Sequence, residues 1–146
     1  MLIKNIELNS EEYQQACQLR YQLFYQPHGL SFDSVFNNQE TDSIHLGIID
    51  RNCLVAYGQL TEKNEREYQI AQMVVRPERQ RQGLGKTLLT ELIAIAQQKN
   101  ANQIILDARI SALNFYRQLG FQKILGTEHP SATTGVPHTY MQLNFP

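Results

Sequence analysis

The sequence predicts a mixed α/β arrangement. Three observations carry this. A long amphipathic stretch runs from Gln82 to Gln98, short strand-like runs lie on both sides of it, and a strand–loop–helix–strand–helix unit occupies the middle of the chain.

The elements follow in order. Leu2, Ile3, Ile6 and Leu8 suggest a first strand. Ser10 before Glu11-Glu12 is a helix start, because a side-chain oxygen there accepts from the first-turn N–H groups and acids suit the positive helix end. Tyr13, Ala16, Cys17, Leu19, Arg20, Leu23 and Phe24 keep helical spacing, and Pro27 and Gly29 close the helix. Residues Phe32 to Asp42 read as a loop or a short second helix. Ile44 to Ile49 and Leu54 to Thr61, around the turn Asp50-Arg51-Asn52, predict a hairpin. Tyr68 to Arg76 resumes a strand that Pro77 ends.

Glu78 to Gly83 is a polar loop, and the helix after it carries the apolar stripe Leu84, Leu88, Leu89, Leu92, Ile93, Ile95 and Ala96. Ile104 to Leu106 lacks alternation, as expected of a short strand covered on both faces. Ser111 to Leu119 predicts a short helix stopped at Gly120. Phe121 to Leu125 and Pro137 to Phe145 predict the last strands, with a small and polar loop, Glu128 to Val136, between them.

The chain of 146 residues fits one domain, 1–146, with a sizeable core. With 42% hydrophobic and 18% charged residues, the composition is that of a folded globular protein. A net charge of −1 argues against a general nucleic-acid binder. No apolar run approaches a membrane span, no signal peptide is evident, and Cys17 and Cys53 stand at no metal-ligand spacing. The expectation is a reduced, cytoplasmic protein with no metal, no nucleic-acid partner and no membrane partner.

The chemistry concentrates in Gln80-Arg81-Gln82-Gly83-Leu84-Gly85-Lys86-Thr87, between a strand and the long helix. A helix start presents unpaired N–H groups and partial positive charge to an anion, and glycine lets the anion come close. Gly85-Lys86-Thr87 matches the end of a nucleotidase P-loop, but that motif needs a glycine where Gln80 stands, and only Asp107 offers itself downstream for magnesium. A dinucleotide fingerprint starting at Gly83 and Gly85 needs a third glycine where Leu88 stands. Taken alone, the two glycines do no more than start a helix.

The flanking residues decide between these readings. Met73-Val74-Val75-Arg76-Pro77, the loop, and Leu88-Leu89 together resemble the acetyl-CoA motif of the GNAT superfamily: an apolar strand ending in Val-x-Pro, then Arg or Gln, two residues, Gly, one residue, Gly or Ala, and a leucine-rich helix. Asn114-Phe115-Tyr116-Arg117-Gln118-Leu119-Gly120-Phe121 resembles a second signature of that superfamily. Leu19-Arg20 with Phe24, and Gly135-Val136-Pro137-His138, are similar to segments of its small ElaA-like branch. The resemblance covers about Ala16 to Met141.

It implies a central mixed β-sheet flanked by helices, acetyl-CoA as cosubstrate, and transfer of the acetyl group to an amine of a small molecule, peptide or protein. Backbone N–H groups from Arg81 to Lys86, including Gln82, Gly83 and Gly85, would hold the pyrophosphate, and the side chains of Gln80, Arg81 and Lys86 could help. Arg81 and Lys86 are also ordinary as solvated surface charges. Met73, Val74 and Val75 would pair with the pantetheine arm through a backbone splayed from its neighbour, while their side chains pack in the core.

Tyr116 is the candidate general acid for the leaving thiolate, with Phe115 expected to face the core and Tyr116 the cofactor. Glu67, Tyr68, Gln72 and His138 lie where the acceptor would bind. Of these, His138 is the candidate base, since histidine titrates nearest neutrality; a solvent-facing histidine on the last strand is the alternative. His28, His45 and His129 show no partner spacing. Arg109 stands where many members of the superfamily have Asn. A rival reading keeps the fold as an acetyl-CoA-binding sensor or interaction module without turnover, and the resemblance also allows a homodimer through the C-terminal strands.

Overall fold

In the computed structural model, which describes residues 1–146, the chain forms β1 (Leu2–Asn5), α1 (Glu11–Arg20), β2 (Ile44–Asp50), β3 (Cys53–Asn64), β4 (Glu67–Val75), α2 (Leu84–Gln98), β5 (Gln103–Arg109), α3 (Leu113–Arg117), β6 (Gln122–Lys123), β7 (His129–Pro130) and β8 (Pro137–Asn144). The strands make one sheet in the order β1-β2-β3-β4-β5-β8-β6, with β7 also on β8. Only β4 and β5 run parallel, joined by α2 as the crossover. No helix is long and apolar enough to cross a membrane.

Local chemistry explains the boundaries. The Ser10 hydroxyl accepts from the Tyr13 N–H and caps α1. α1 runs on into one wide turn, Tyr21–Tyr25, and a tight turn, Gln26–His28, which Gly29 ends at φ 73°. The β2–β3 hairpin turns through Arg51 and Asn52, both at positive φ, the geometry that matches the twist of the strands. Gly83 starts α2 at φ 80°, so that helix begins later than the sequence suggests.

Two cores form on opposite faces of the sheet. α2 brings Leu88, Leu89, Leu92 and Ala96 onto Val55, Ile70, Ile104, Leu106 and Met141. α1 brings Ala16, Cys17 and Leu19 onto Leu54, Tyr57 and Val74. Gly58 of β3 lies under α2. A Cβ there would meet the Met73 sulfur at 2.6 Å and a Leu92 methyl at 3.0 Å, so the missing side chain is what lets Met73 and α2 reach the sheet.

β5 departs from the expectation. Ile104, Leu106 and Ala108 are buried under α2, but Ile105 is only partly covered and Asp107 is exposed. One face is core and the other borders a cleft, which is why the run is apolar without being sealed on both sides. β6 is also shorter than the predicted Phe121 to Leu125: Phe121 is buried, while Leu125 is 85% exposed beyond the pairing. Phe32 to Asp42 resolves into a short turn, Phe32–Val35, with Val35 buried, and a loop bearing Glu40.

α1 carries a charge into its core. The Arg20 guanidinium is fully buried and makes a paired contact with Glu40, Nη1 to Oε1 at 2.9 Å and Nη2 to Oε2 at 3.0 Å. Nη2 also donates to the Val35 carbonyl. Tyr13 and Gln59 donate to the same carboxylate, at 2.6 and 3.1 Å. Burial by itself would raise Glu40, but hydrogen bonds and charge from Arg20, with Tyr13 and Gln59, outweigh it and hold the carboxyl below its ordinary range.

Glu40→Gln leaves the Arg20 charge buried without its counter-ion. It is expected to lower stability by about 3–5 kcal/mol in urea or thermal unfolding at neutral pH. The lowered Glu40 stabilises above its unfolded pKa and loses that contribution as pH falls through the folded value, so the gap between variant and wild type should close in acid.

Candidate active site

β4 and β5 pair at Glu67↔Gln103, Tyr68↔Ile104 and Gln69↔Ile105, and no further. Beyond these residues both strands continue, β4 to Val75 held by β3 and β5 to Arg109 held by β8. The sheet therefore opens between them, and the β4 edge beyond Gln69 has no strand opposite. A cleft of about 900 Å³ occupies the opening. Ile70, Ala71, Gln72 and Met73 line one wall and Ile105, Leu106, Asp107 and Arg109 the other, with Tyr116 on α3, His138 on β8 and Phe24 and Tyr25 after α1 at the ends.

A bulge shapes the β4 wall. Opposite Gln59 and Tyr57 of β3 stand Ala71 and Val74, one residue too many, and Gln72 takes the extra place at φ 59°. The bulge turns Met73 and Val75 toward the α2 core and Val74 toward the α1 core.

At the end of β4 the chain enters the glycine loop. From Arg81 through Lys86 no backbone N–H has an acceptor within the chain; the first to be bonded is that of Thr87, to the Gly83 carbonyl. Arg81 and Gly83 both sit at positive φ, and nothing lies within 4 Å of a Cβ built on Gly83. A run of free N–H groups at a helix start is an anion site in form and charge.

Gly85 has a different reason to be glycine: a Cβ would stand 3.3 Å from the Phe115 ring. Two glutamine side chains of the loop are engaged inside the protein. Gln80 donates to the Val75 carbonyl, and Gln82 accepts from Arg79, which also pairs with Asp50. Arg81 and Lys86 are exposed.

Met73, Tyr116 and His138 thus share the cleft, whereas Gln80 to Lys86 lie outside its lining, past the end of β4. Val74 turns its side chain into the α1 core. Phe115 is half-buried, packed against the α2 core, edge-on to Tyr116 and against Gly85. Tyr116 lies edge-on to Phe121 as well, and burial pushes its phenol up to about 12.

Of the predicted acceptor-side residues, Glu67, Gln72 and His138 line the cleft. Tyr68 does not: it is buried in the α2 core, on the other face of the sheet, with its hydroxyl donating to Glu62. Arg109 lines the cleft, with its guanidinium 5.1 Å from the centre of the Phe24 ring.

Sequence reasoning missed one pair. His129 sets Nδ1 2.7 Å from the Thr127 carbonyl and Nε2 3.1 Å from the Asp107 carboxylate. Both partners only accept, so both ring nitrogens must donate, and the imidazolium is favoured. The Thr127 carbonyl first and Asp107 second hold the His129 pKa above its ordinary value. Tyr140 stacks on the ring, and the His138 ring lies 6.1 Å away. The two partners are 22 residues apart in sequence, and no spacing rule connects them.

The family model described as Acetyltransferase (GNAT) family matches residues 7–121. The chain belongs to the GNAT acetyltransferase family. An uncharacterised N-acetyltransferase of Porphyra purpurea, ycf52, is 34% identical over 85 residues, which is 56% of this chain and 49% of that protein. This GNAT chain spans roughly a third to three-fifths of the length of the curated relatives it matches.

Among solved structures, Escherichia coli ElaA superposes with a TM-score of 0.82 at 19% identity, over 97% of this chain and 99% of that one. An aminoglycoside 6'-N-acetyltransferase complexed with coenzyme A superposes with a TM-score of 0.81 at 16% identity, over 100% and 98%. Both likenesses are of fold.

The His129–Asp107 pair carries a pH signature. Its stabilisation is fully present below the unfolded histidine pKa, about 6.5, and is lost as pH rises through the raised folded value. In an NMR titration the His129 ring is expected to titrate above 6.5 by a measurable margin, and Asp107→Asn should bring it down. A ring that titrates the same in both proteins contradicts the pairing.

Proposed function

We propose that the protein is an N-acetyltransferase that moves the acetyl group of acetyl-CoA directly to a primary amine of a small molecule, peptide or protein, with both substrates bound together. The run of unpaired N–H groups from Arg81 to Lys86, next to an unpaired strand edge, carries this reading. Bound acetyl-CoA supplies the acyl group as a thioester.

The residues present fit it. The loop offers donors and no acid, and Gly83 leaves room for a phosphate against the backbone. Arg81 and Lys86 are exposed and able to add charge from their side chains, while Gln80 and Gln82 help to hold the loop in shape. Met73 and the Val75 N–H face the open edge and can meet an extended arm without disturbing their packed side chains, whereas Val74, opposite Tyr57, turns its backbone groups to β3 and supports the edge from behind. A backbone N–H on that edge can also polarise a carbonyl oxygen.

Tyr116 holds a proton in the cleft. With the phenol near 12 and an ordinary thiol at about 8.5, full transfer to a thiolate is uphill by about 5 kcal/mol. The phenol therefore serves chiefly as a hydrogen-bond donor to the sulfur, giving up its proton only as one returns from the amine. His138 lines the same cleft, with Nδ1 donating to the Val136 carbonyl at 2.7 Å, so that in the neutral ring Nε2 is the nitrogen that can accept the amine proton.

Tyr116→Phe is expected to lower turnover about a hundredfold in a thiol-release assay over a panel of amines, with acetyl-CoA affinity nearly unchanged. Unchanged turnover would remove Tyr116 from the mechanism. Tight acetyl-CoA binding with no turnover of any amine by the wild type would favour the binding-module reading instead.

Gly83→Glu places a carboxylate in the anion site at a position free of steric conflict, so the fold should survive a backbone strain on the order of 1–2 kcal/mol. Calorimetry is expected to show acetyl-CoA binding abolished while circular dichroism remains that of the wild type.

A further inference from the structure

Gln72, the bulge residue, has its side chain oriented from behind. Its Oε1 accepts from Arg20 Nε at 3.1 Å and from the Tyr25 hydroxyl at 3.4 Å. A guanidinium only donates, so the amide cannot be turned over: its oxygen faces Arg20 and its NH2 group faces away. Arg20 in turn cannot swing, because Glu40 and the Val35 carbonyl hold its other nitrogens.

The Gln72 NH2 group has no partner in the chain. It is not sealed in either, since the one buried side-chain atom without a partner is Gln59 Oε1. Gln72 lines the cleft beside Tyr25, which lines it too. The NH2 group therefore opens into the cleft at the residue before Met73. A charged donor on Oε1 draws electron density from the nitrogen and strengthens its N–H groups as donors.

Resting on the acetyltransferase reading, we propose that the Gln72 amide determines acceptor specificity by donating to an oxygen close to the acceptor's amine. The substrate class is then primary amines that carry a hydroxyl or carbonyl oxygen near the nitrogen, as amino alcohols, amino sugars and peptide N-termini do. The acyl arm is assigned to the β4 edge from Met73 onward. An amine placed to attack there sets its neighbouring atoms against Gln72. A plain alkyl amine displaces water from the donor without replacing its hydrogen bond, and that mismatch is how a polar site rejects an apolar analogue. Arg20 and Glu40 act as positioning residues, through Gln72.

The experiment uses three amines: ethanolamine with a hydroxyl, glycinamide with a carbonyl, and propylamine with neither. The quantity read is the ratio of kcat/KM for each oxygen-bearing amine to that for propylamine, in wild type and in two variants. Comparing proteins cancels the intrinsic reactivity of each amine. Gln72→Glu keeps an oxygen for Arg20 and Tyr25 but removes the donor, and Gln72→Met removes both.

Both variants are expected to lower the ratios about tenfold, with acetyl-CoA affinity unchanged by calorimetry. A fall for ethanolamine alone assigns the contact to hydroxyl acceptors, and a fall for glycinamide alone to carbonyl acceptors. Ratios that stay at the wild-type value in both variants overturn the proposal while leaving acetyl transfer intact. A second readout does not need turnover. The Gln72 side-chain NH2 resonance of the CoA-saturated protein should shift on titration with ethanolamine or glycinamide and not with propylamine. That shift without turnover of any amine would sink the acetyltransferase reading and keep the Gln72 contact; equal shifts with all three amines would sink the contact.

Discussion

Between Gln59 and Tyr57, β3 advances while β4 opposite it takes one residue more, from Ala71 to Val74, and the rest of the site depends on that extra residue. Side chains on a strand alternate, so an inserted residue exchanges the two faces for everything after it. Tyr68 and Ile70 lie under α2 before the bulge, and Met73 and Val75 lie there after it. Without the bulge Val74 would point to α2, and Met73 and Val75 would have to enter the α1 core. The same local twist accompanies the loss of pairing with β5 beyond Gln69. One backbone irregularity thus serves core packing on both faces and the opening of the cleft.

A left-handed φ on a glutamine is costly unless its surroundings hold it. Here the support comes from a buried charged pair, itself an expensive device. Burying Arg20 and Glu40 gains little over an apolar pair of equal size, but removing either one strands the other. The carboxylate receives Tyr13, Arg20 and Gln59, and the loop that brings it there carries nothing else buried except Val35. This cluster of Arg20, Glu40 and Gln72 ties α1, the loop before β2 and the bulged strand to one geometry. An apolar replacement could supply the packing but not the direction of the Gln72 amide.

The half of the site that would bind the cofactor was legible in the sequence because it is made from consecutive residues. Val75-Arg76-Pro77, the glycines and Leu88-Leu89 occupy one strand, one loop and one helix, so their spacing is their geometry. The other half is made across the sheet. Arg20 meets Glu40 from α1, Asp107 meets His129 from β5, and Glu67, Gln72 and His138 reach the cleft from β4 and β8. Two signals in the sequence did point there. Arg20 stands at a core position in the periodicity of α1, and a charge in a buried register needs a partner. The apolar residues of β4 also change parity, from Tyr68 and Ile70 to Met73 and Val75, which is the mark of an inserted residue. Tyr68 was misplaced for the same reason: with the bulge unrecognised, its face could not be assigned.

The two glycines of the loop, equivalent in a motif, do different physical work. Gly83 holds a positive φ in open space, so what matters there is backbone conformation and room for a ligand. Gly85 is packed against Phe115 and Val75, so what matters there is the approach of α3 to the first turn of α2. That approach sets Phe115 edge-on to Tyr116 and so bears on where the phenol stands in the cleft. The spacing of one residue between the glycines therefore couples the run of free N–H groups to an aromatic contact thirty residues away in sequence. It explains why the loop and the Tyr116 segment carry identity together when neither glycine does so alone.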